Sequence, residues 1–266
     1  MTSIHRIPVA GYGTVEVSLT EKGEGHPFLL LHGGGGPLTV GGFADLLAAQ
    51  RPAHVITPTH PGFGGSPRPD SLAGVPGLAA LYIALLAELD LRDVTVIGNS
   101  IGGWIAAEMA LLDTERISSF VLVDAVGIEV PGHPIADFFS LTPRQIAEIS
   151  YHDPDRFGLD PSKLSPEALK VMAGNRAALS VYGGTMNEAG LAGRLARVTT
   201  PTLVVWGDSD RIADADYGRA FANAIPGARF QLLPDTGHLP QIETPGQLLD
   251  AVWAFAESLG VMRPTS

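Results

Sequence analysis

Two rhythms alternate along the chain. Short apolar or β-branched runs bounded by turns read as strands, and between them apolar residues recur at helical spacing. Val15 to Leu19 is the first such run, and Phe28 to Leu31 reads as a fully buried one. Val55 to Pro58 is a third, ending in the glycine- and proline-rich stretch Pro61-Gly62-Phe63-Gly64-Gly65-Ser66-Pro67. An Ala- and Leu-rich pattern predicts a helix from about Leu78 to Leu89. Val94 to Gly98 is a compact strand followed at once by helical spacing through Trp104, Ala107 and Leu111, and Phe120 to Asp124 is another strand. This alternation predicts an α/β fold with a mostly parallel central sheet and helices on both faces.

From about Gly127 to Val198 the rhythm breaks. No strand pattern occurs there, only proline-punctuated helical segments such as Pro143 to Tyr151 and Pro166 to Val181. A crossover between parallel strands needs about a dozen residues. The surplus predicts a helical cap over 127–198, inserted into a core made of 1–126 and 199–266. The core pattern resumes with a strand from Thr202 to Trp206, a helix near Asp216 to Ala224, a strand from Arg229 to Leu233 and a closing helix from about Pro245 to Leu259.

Composition narrows the function classes. The 266 residues carry a formal net charge of −11 with no Lys/Arg-rich run, which argues against nucleic acid or an anionic membrane as partner. Cysteine is absent, so disulfides, thiolate metal sites and a cysteine nucleophile are excluded. The start, Met1 to Arg6, lacks a signal-peptide pattern, and no apolar run approaches membrane-spanning length. A cytoplasmic protein acting on a small molecule is expected, with its oligomeric state left open.

The sharpest chemical signal is Gly98-Asn99-Ser100-Ile101-Gly102, a G-x-S-x-G pattern between a predicted strand and a predicted helix. A turn that tight holds the serine oxygen above the sheet edge, and the Ile101 N–H at the helix start can face developing negative charge. A second oxyanion donor is expected from His32-Gly33-Gly34-Gly35-Gly36-Pro37, at Gly34 or Gly35, where glycines let backbone N–H groups approach a ligand. That loop lacks the Lys-Ser/Thr ending of a phosphate loop, and His32 reads as its structural anchor. A serine nucleophile needs a base. His238, in Asp235-Thr236-Gly237-His238-Leu239-Pro240, lies beyond the last strand at the carboxyl end of the sheet, with His60 as competitor. The acid that holds the base is sought after Thr202 to Gly207, at Asp210, with Asp208 and Asp124 as alternatives.

These segments resemble the α/β-hydrolase fold superfamily from about Val15 to Leu259. The pieces come in order: HGGGGP at His32, PGFGGS at Pro61, GNSIGG at Gly98, PTLVVWGDSD at Pro201 and GHLPQIETP at Gly237. The resemblance implies catalysis through Ser100, Asp210 and His238, the chain order of that fold. It also implies an oxyanion hole from Ile101 and Gly34 or Gly35, and a cap over the site. The nearest likeness is to capped esterases and to the C–C bond hydrolases of aromatic degradation, which share Asn before the serine and the glycine-rich loop. Two positions depart from the pattern: Leu239 stands where the C–C hydrolases usually carry an aromatic residue, and Thr59 where many members carry Asp. Dehalogenases and epoxide hydrolases of this fold use Asp as nucleophile, which Ser100 argues against.

The activity expected is hydrolysis of a small carboxylic ester through an acyl-enzyme. A C–C hydrolase acting on a dioxo acid is the alternative, and a non-catalytic ligand-binding homologue a third reading. Neither cofactor nor metal is expected, since no H-E-x-x-H spacing occurs. Asn99, Phe138, Phe139, Tyr182 and Leu239 are candidate pocket residues, with Tyr151, Met172 and Met186 as further apolar cap positions. Arg176 and Arg194 are candidates to meet a substrate carboxylate.

Overall fold

The apolar runs pair into one eight-stranded sheet in the computed structural model, which describes residues 2–112 and 114–260. The strands are β1 (Thr2–Val9), β2 (Gly13–Lys22), β3 (His26–Leu31), β4 (Ala53–Thr59), β5 (Val94–Asn99), β6 (Ile117–Val123), β7 (Thr202–Gly207) and β8 (Arg229–Leu233). Their spatial order is β1-β2-β4-β3-β5-β6-β7-β8. From β4 onward every pairing is parallel, whereas β1 with β2 and β2 with β4 are antiparallel.

Period-two alternation sends neighbouring side chains of the central strands to opposite faces. Leu29, Leu31 and Val96 join one apolar cluster, Phe28, Leu30 and Ile97 the other. Three helices precede the insertion: α1 (Leu38–Gln50), α2 (Val75–Glu88) and α3 (Ile101–Ala110). The insertion between β6 and β7 holds α4 (Pro143–Ser150), α5 (Pro154–Phe157), α6 (Pro166–Gly183) and α7 (Leu191–Leu195). Near the carboxyl end lie α8 (Ala215–Asn223), α9 (Pro240–Glu243) and α10 (Pro245–Ser258). Helices α2, α3 and α8 contribute to the first cluster and α1 and α10 to the second, so both faces of the sheet are covered.

The insertion is helical because its segments carry good starts and no β-branched runs. Thr142 and Gln145 close a capping box on α4, and the Ser165 hydroxyl accepts the Ala168 N–H at the head of α6. Its only strand-like pairing among the described residues is a single bridge between Gly127 and Asn187.

Among the longer elements of the core, two were not legible in the pattern. β1 contains His5, Arg6 and Pro8 and sits at the sheet edge, where charge and proline are tolerated. α1 carries Gly41 and Gly42 in its interior and no side-chain cap, so propensity alone argues against it. It forms because Val40, Phe43, Ala44 and Leu47 are buried against the sheet.

Candidate active site

Ser100 sits where β5 turns into α3, with φ 56° and ψ −119°. That backbone region is unfavourable for a side-chain-bearing residue and persists only where its surroundings enforce it. The flanking glycines explain how. A Cβ on Gly98 would strike the Gly102 carbonyl, and one on Gly102 would lie 2.7 Å from the His32 carbonyl oxygen. The Ser100 hydroxyl has no hydrogen-bond partner among the described residues, and only 8% of the residue is exposed.

His238 and Asp210 come together from the two loops beyond β7 and β8. The Asp210 carboxylate accepts the His238 Nδ1–H at Oδ2, 2.7 Å away, and both side chains are buried. Its Oδ1 accepts the N–H groups of Ile212 at 2.7 Å and Ala213 at 3.3 Å. An imidazole that donates from Nδ1 keeps Nε2 as its acceptor. The two loops are tied back to the Ser100 turn through Asn99. Its amide donates to the His238 carbonyl at 3.0 Å and to the Val123 carbonyl at 3.3 Å, and its Oδ1 accepts from Gln241 at 3.0 Å. Asn99, read from sequence as a pocket position, therefore spends its polar atoms on framework contacts.

The glycine loop is held by a buried pair of histidines. His32 accepts the His60 backbone N–H at Nε2 (3.1 Å), so its Nδ1–H donates to the Gly33 carbonyl (2.8 Å). His60 donates from Nε2 to the His32 carbonyl (2.9 Å) and accepts the Tyr82 hydroxyl at Nδ1. Each ring is thereby fixed as one neutral tautomer. Burial lowers His60 to about 4 and pushes His32 well below the ordinary imidazole value. His60 is thus committed to the loop. The N–H of Gly36 is taken by the Gly33 carbonyl, while those of Gly34, Gly35 and Ile101 have no backbone partner among the described residues. A Cβ on Gly33 would stand 3.2 Å from the Ser100 Cβ, which shows how close the loop runs to the serine.

A match to the Alpha/beta hydrolase family spans residues 28–251. The chain belongs to that family. The 2-hydroxymuconate semialdehyde hydrolase of Pseudomonas putida is 28% identical to this hydrolase over 255 residues, covering 89% of this chain and 88% of that one. The poly(3-hydroxyalkanoate) depolymerase of Ectopseudomonas oleovorans is 32% identical over 224 residues, covering 80% and 78%. Among solved structures, a thermophilic esterase from Thermogutta terrifontis superposes with a TM-score of 0.72 at 23% identity, covering 97% and 99% of the two chains. A serine hydrolase from Cycloclasticus zankles reaches 0.78 at 19%, with 97% and 99% coverage. At those identities the structural likeness speaks for the fold alone.

The insertion of this hydrolase packs directly on the site. Asn175 on α6 donates to the Gly35 carbonyl at 3.0 Å and accepts the Gly64 N–H at 2.8 Å, and the Leu179 side chain lies against Gly34. Tyr182 donates to the Pro61 carbonyl at 3.0 Å and stacks on Phe63. Met186 packs against Gly183, near Ile101. Phe138 and Phe139 are half-buried, and their carbonyls accept from Arg176, whose guanidinium also lies over the Phe139 ring. Tyr151 stacks on Phe157 within the insertion; Met172 and Leu239 are half-buried, and Leu239 leads into α9. Arg194 is occupied as well, bidentate to the buried Glu108 at 2.6 and 2.9 Å and paired with Glu188 at 2.6 Å. Arg194 is thereby neutralised by two carboxylates, whereas Arg176 spends only Nη2, on backbone carbonyls, and has no carboxylate partner among the described residues. A cavity of ≈360 Å³ lies elsewhere in the insertion, where Arg144 pairs with Asp155 and Lys163 with Asp160.

Sequence reasoning passed over Gln241 and Glu243. The Glu243 carboxylate accepts the N–H groups of Gly237 (2.7 Å), Asp153 (2.8 Å) and His152 (3.1 Å), pinning the histidine loop to the end of α4. Both residues lie in the GHLPQIETP segment, whose polar positions were the available signal. Asp208 fixes its own turn, accepting from Ser209 at 2.8 Å and from the Thr236 N–H at 3.3 Å. Asp124 lies against Asp210 and His238, one ligand atom of each falling within 4.8 Å of the others. Among the described residues, no helix is long and apolar enough to cross a membrane.

Proposed function

We propose that this alpha/beta hydrolase cleaves a small-molecule carboxylic ester through an acyl-enzyme, with Ser100 as nucleophile, His238 as general base and Asp210 as its acid. The observation that carries this reading is the buried 2.7 Å contact between His238 Nδ1 and Asp210 Oδ2, tied through Asn99 to a strained serine turn. His238 Nε2 takes the Ser100 proton as Oγ attacks the ester carbonyl. The tetrahedral oxyanion is met by the N–H groups of Ile101 and of Gly34 or Gly35. His238 then returns the proton to the departing alkoxide, leaving alcohol and acyl-enzyme. Water repeats the sequence to release the acid. Each oxyanion donor is worth ~10²–10³ in rate, so the glycine loop matters nearly as much as the triad. Residues 127–198 act as the cap, with Leu179, Tyr182 and the Phe138–Phe139 pair limiting the acyl or alcohol group. The cytoplasm is the compartment that the acidic, cysteine-free composition suits.

A second reading, cleavage of a C–C bond in a dioxo acid, draws support from the named activity of the Pseudomonas putida relative. The engagement of Arg194 with Glu108 and Glu188 weighs against that residue as the partner of the substrate carboxylate, which leaves Arg176 as the cation such a substrate would use. Hydrolysis of short-chain p-nitrophenyl esters by the wild type and by Ser100→Ala tests the main reading. Activity lost by several orders of magnitude in the variant is the expected outcome. Equal rates in both would remove Ser100 from the mechanism. Inactivity on esters with turnover of a ring-fission dienoate, followed by loss of its chromophore, would replace the ester reading with the second one.

A further inference from the structure

Asp124 is a buried carboxyl group that the proposed mechanism leaves unused. It follows β6 directly, with φ 45°, and is wholly inaccessible to water. Its N–H donates to the Val205 carbonyl at 3.0 Å, and its Oδ1 accepts the Gly207 N–H at 2.8 Å, so it is clamped to β7. Its Oδ2 has no donor among the described residues. The ionisable groups that face it are Asp210 and His238. Asp210 receives only N–H donors, two on Oδ1 and one on Oδ2, which leaves acceptor capacity on Oδ2.

Two carboxyl groups sharing a dry site cannot both ionise cheaply. Burial first, and repulsion from Asp210 second, push the Asp124 carboxyl well above the usual carboxylate range. A neutral acid must carry its proton on one oxygen. Oδ1 is occupied by an N–H donor, so the proton belongs on Oδ2, the atom that otherwise has no partner.

We propose that Asp124 is a positioning residue that stays protonated and donates its Oδ2–H to the Asp210 carboxylate. The pair then carries one negative charge, matched to the one positive charge that His238 gains when it takes the serine proton. Asp124 touches no reacting atom and keeps its proton throughout; it restrains the Asp210 carboxylate and disperses its charge. The rate consequence rests on the acyl-transfer reading above, whereas the protonation state does not.

The test compares wild type with Asp124→Asn, which keeps a donor in the same place, and Asp124→Leu, which removes it. Infrared spectroscopy at neutral pH should show a buried protonated-carboxyl stretch in wild type that vanishes in Asp124→Asn. The low-field proton resonance of His238 Nδ1–H should stay near its wild-type position in Asp124→Asn and move in Asp124→Leu. On p-nitrophenyl acetate, Asp124→Leu should lower kcat about tenfold or more with KM little changed, and Asp124→Asn should recover to within about threefold of wild type. Absence of the carboxyl band overturns the proposal whatever the rates. So does an Asp124→Asn enzyme that is folded yet as impaired as Asp124→Leu. If no ester is turned over, the ester reading fails, while the band and the resonance still decide the state of Asp124. If Asp124→Leu does not fold, the wild-type and Asp124→Asn spectra decide it alone.

Discussion

His32 and His60 stand on one side of the serine turn and His238 on the other, and all three are almost sealed from water. Their neighbours give them opposite chemistry. The first two meet carbonyl oxygens, a phenol and each other: a proton added to His32 would face the His60 backbone N–H, and one added to His60 would force the Tyr82 hydroxyl to turn from donor to acceptor. His238 meets the Asp210 carboxylate, which is built to accept the charge that a base acquires. Burial alone therefore does not decide whether a histidine holds a loop or works as a base. On the proposed mechanism, the charge of the group opposite its Nδ1 makes the difference.

The widest separation between the two sides should come from His238→Gln. Turnover is expected to fall roughly 10⁴-fold or more, while urea unfolding moves by only about 1 kcal/mol, since an amide can still donate to Asp210. His60→Phe should show the reverse emphasis. It strips the Tyr82 hydroxyl and the His32 carbonyl of partners, a loss of about 2–4 kcal/mol in urea unfolding. Measured well below the lowered melting point, its kcat/KM should fall only about tenfold.

Acid titration sharpens the same contrast. Unfolded, His60 takes a proton near pH 6.5; folded, it resists until about 4. Across that window the unfolded chain binds more protons, so stability falls as pH is lowered from 6.5 toward 4, by on the order of 3 kcal/mol from His60 alone. His32 acts in the same direction. Urea midpoints measured through this range should slope downward in wild type and flatten in His60→Phe. An equal slope in both would mean that His60 is not the group held neutral.

The smallest effect is expected away from Ser100. Arg194→Ala leaves the buried Glu108 without its cation and should cost about 2 kcal/mol, less than a fully buried pair because Arg194 is partly exposed. Its thermal midpoint should drop while kcat on a good ester stays within about twofold. A larger rate loss would mean that the α3 to α7 contact reaches the nucleophile turn.

Strands β2 to β8 and α3 were legible because each combines an apolar pattern with turn residues at its ends. The Ser100 turn was legible for a physical reason: only glycine fits at positions 98 and 102, so the backbone crowding is written directly in the sequence. β1 and α1 were hidden because tertiary burial outweighs their poor local propensity. Asn99 shows a different limit. Its position beside Ser100 suggests the substrate side, yet its side-chain direction depends on Gln241 and the His238 carbonyl, both more than a hundred residues away in the chain. The environment of Asp124 was hidden for the same reason, since its burial and the carboxylate of Asp210 beside it arise only on folding.

Glu243 has a practical meaning for anyone building chimeras of this enzyme. The stretch from Ile149 to Asp153 does not merely rest on the core. Ile149 accepts the Arg211 N–H, Ser150 accepts the His238 N–H, and the next residues donate to the Glu243 carboxylate. A transplanted insertion that lacked this seam would loosen the His238 imidazole. The safe exchange unit begins after Asp153 and leaves the 149–153 strap with its original owner, so that the helices over the glycine loop can be traded while the base keeps its seat.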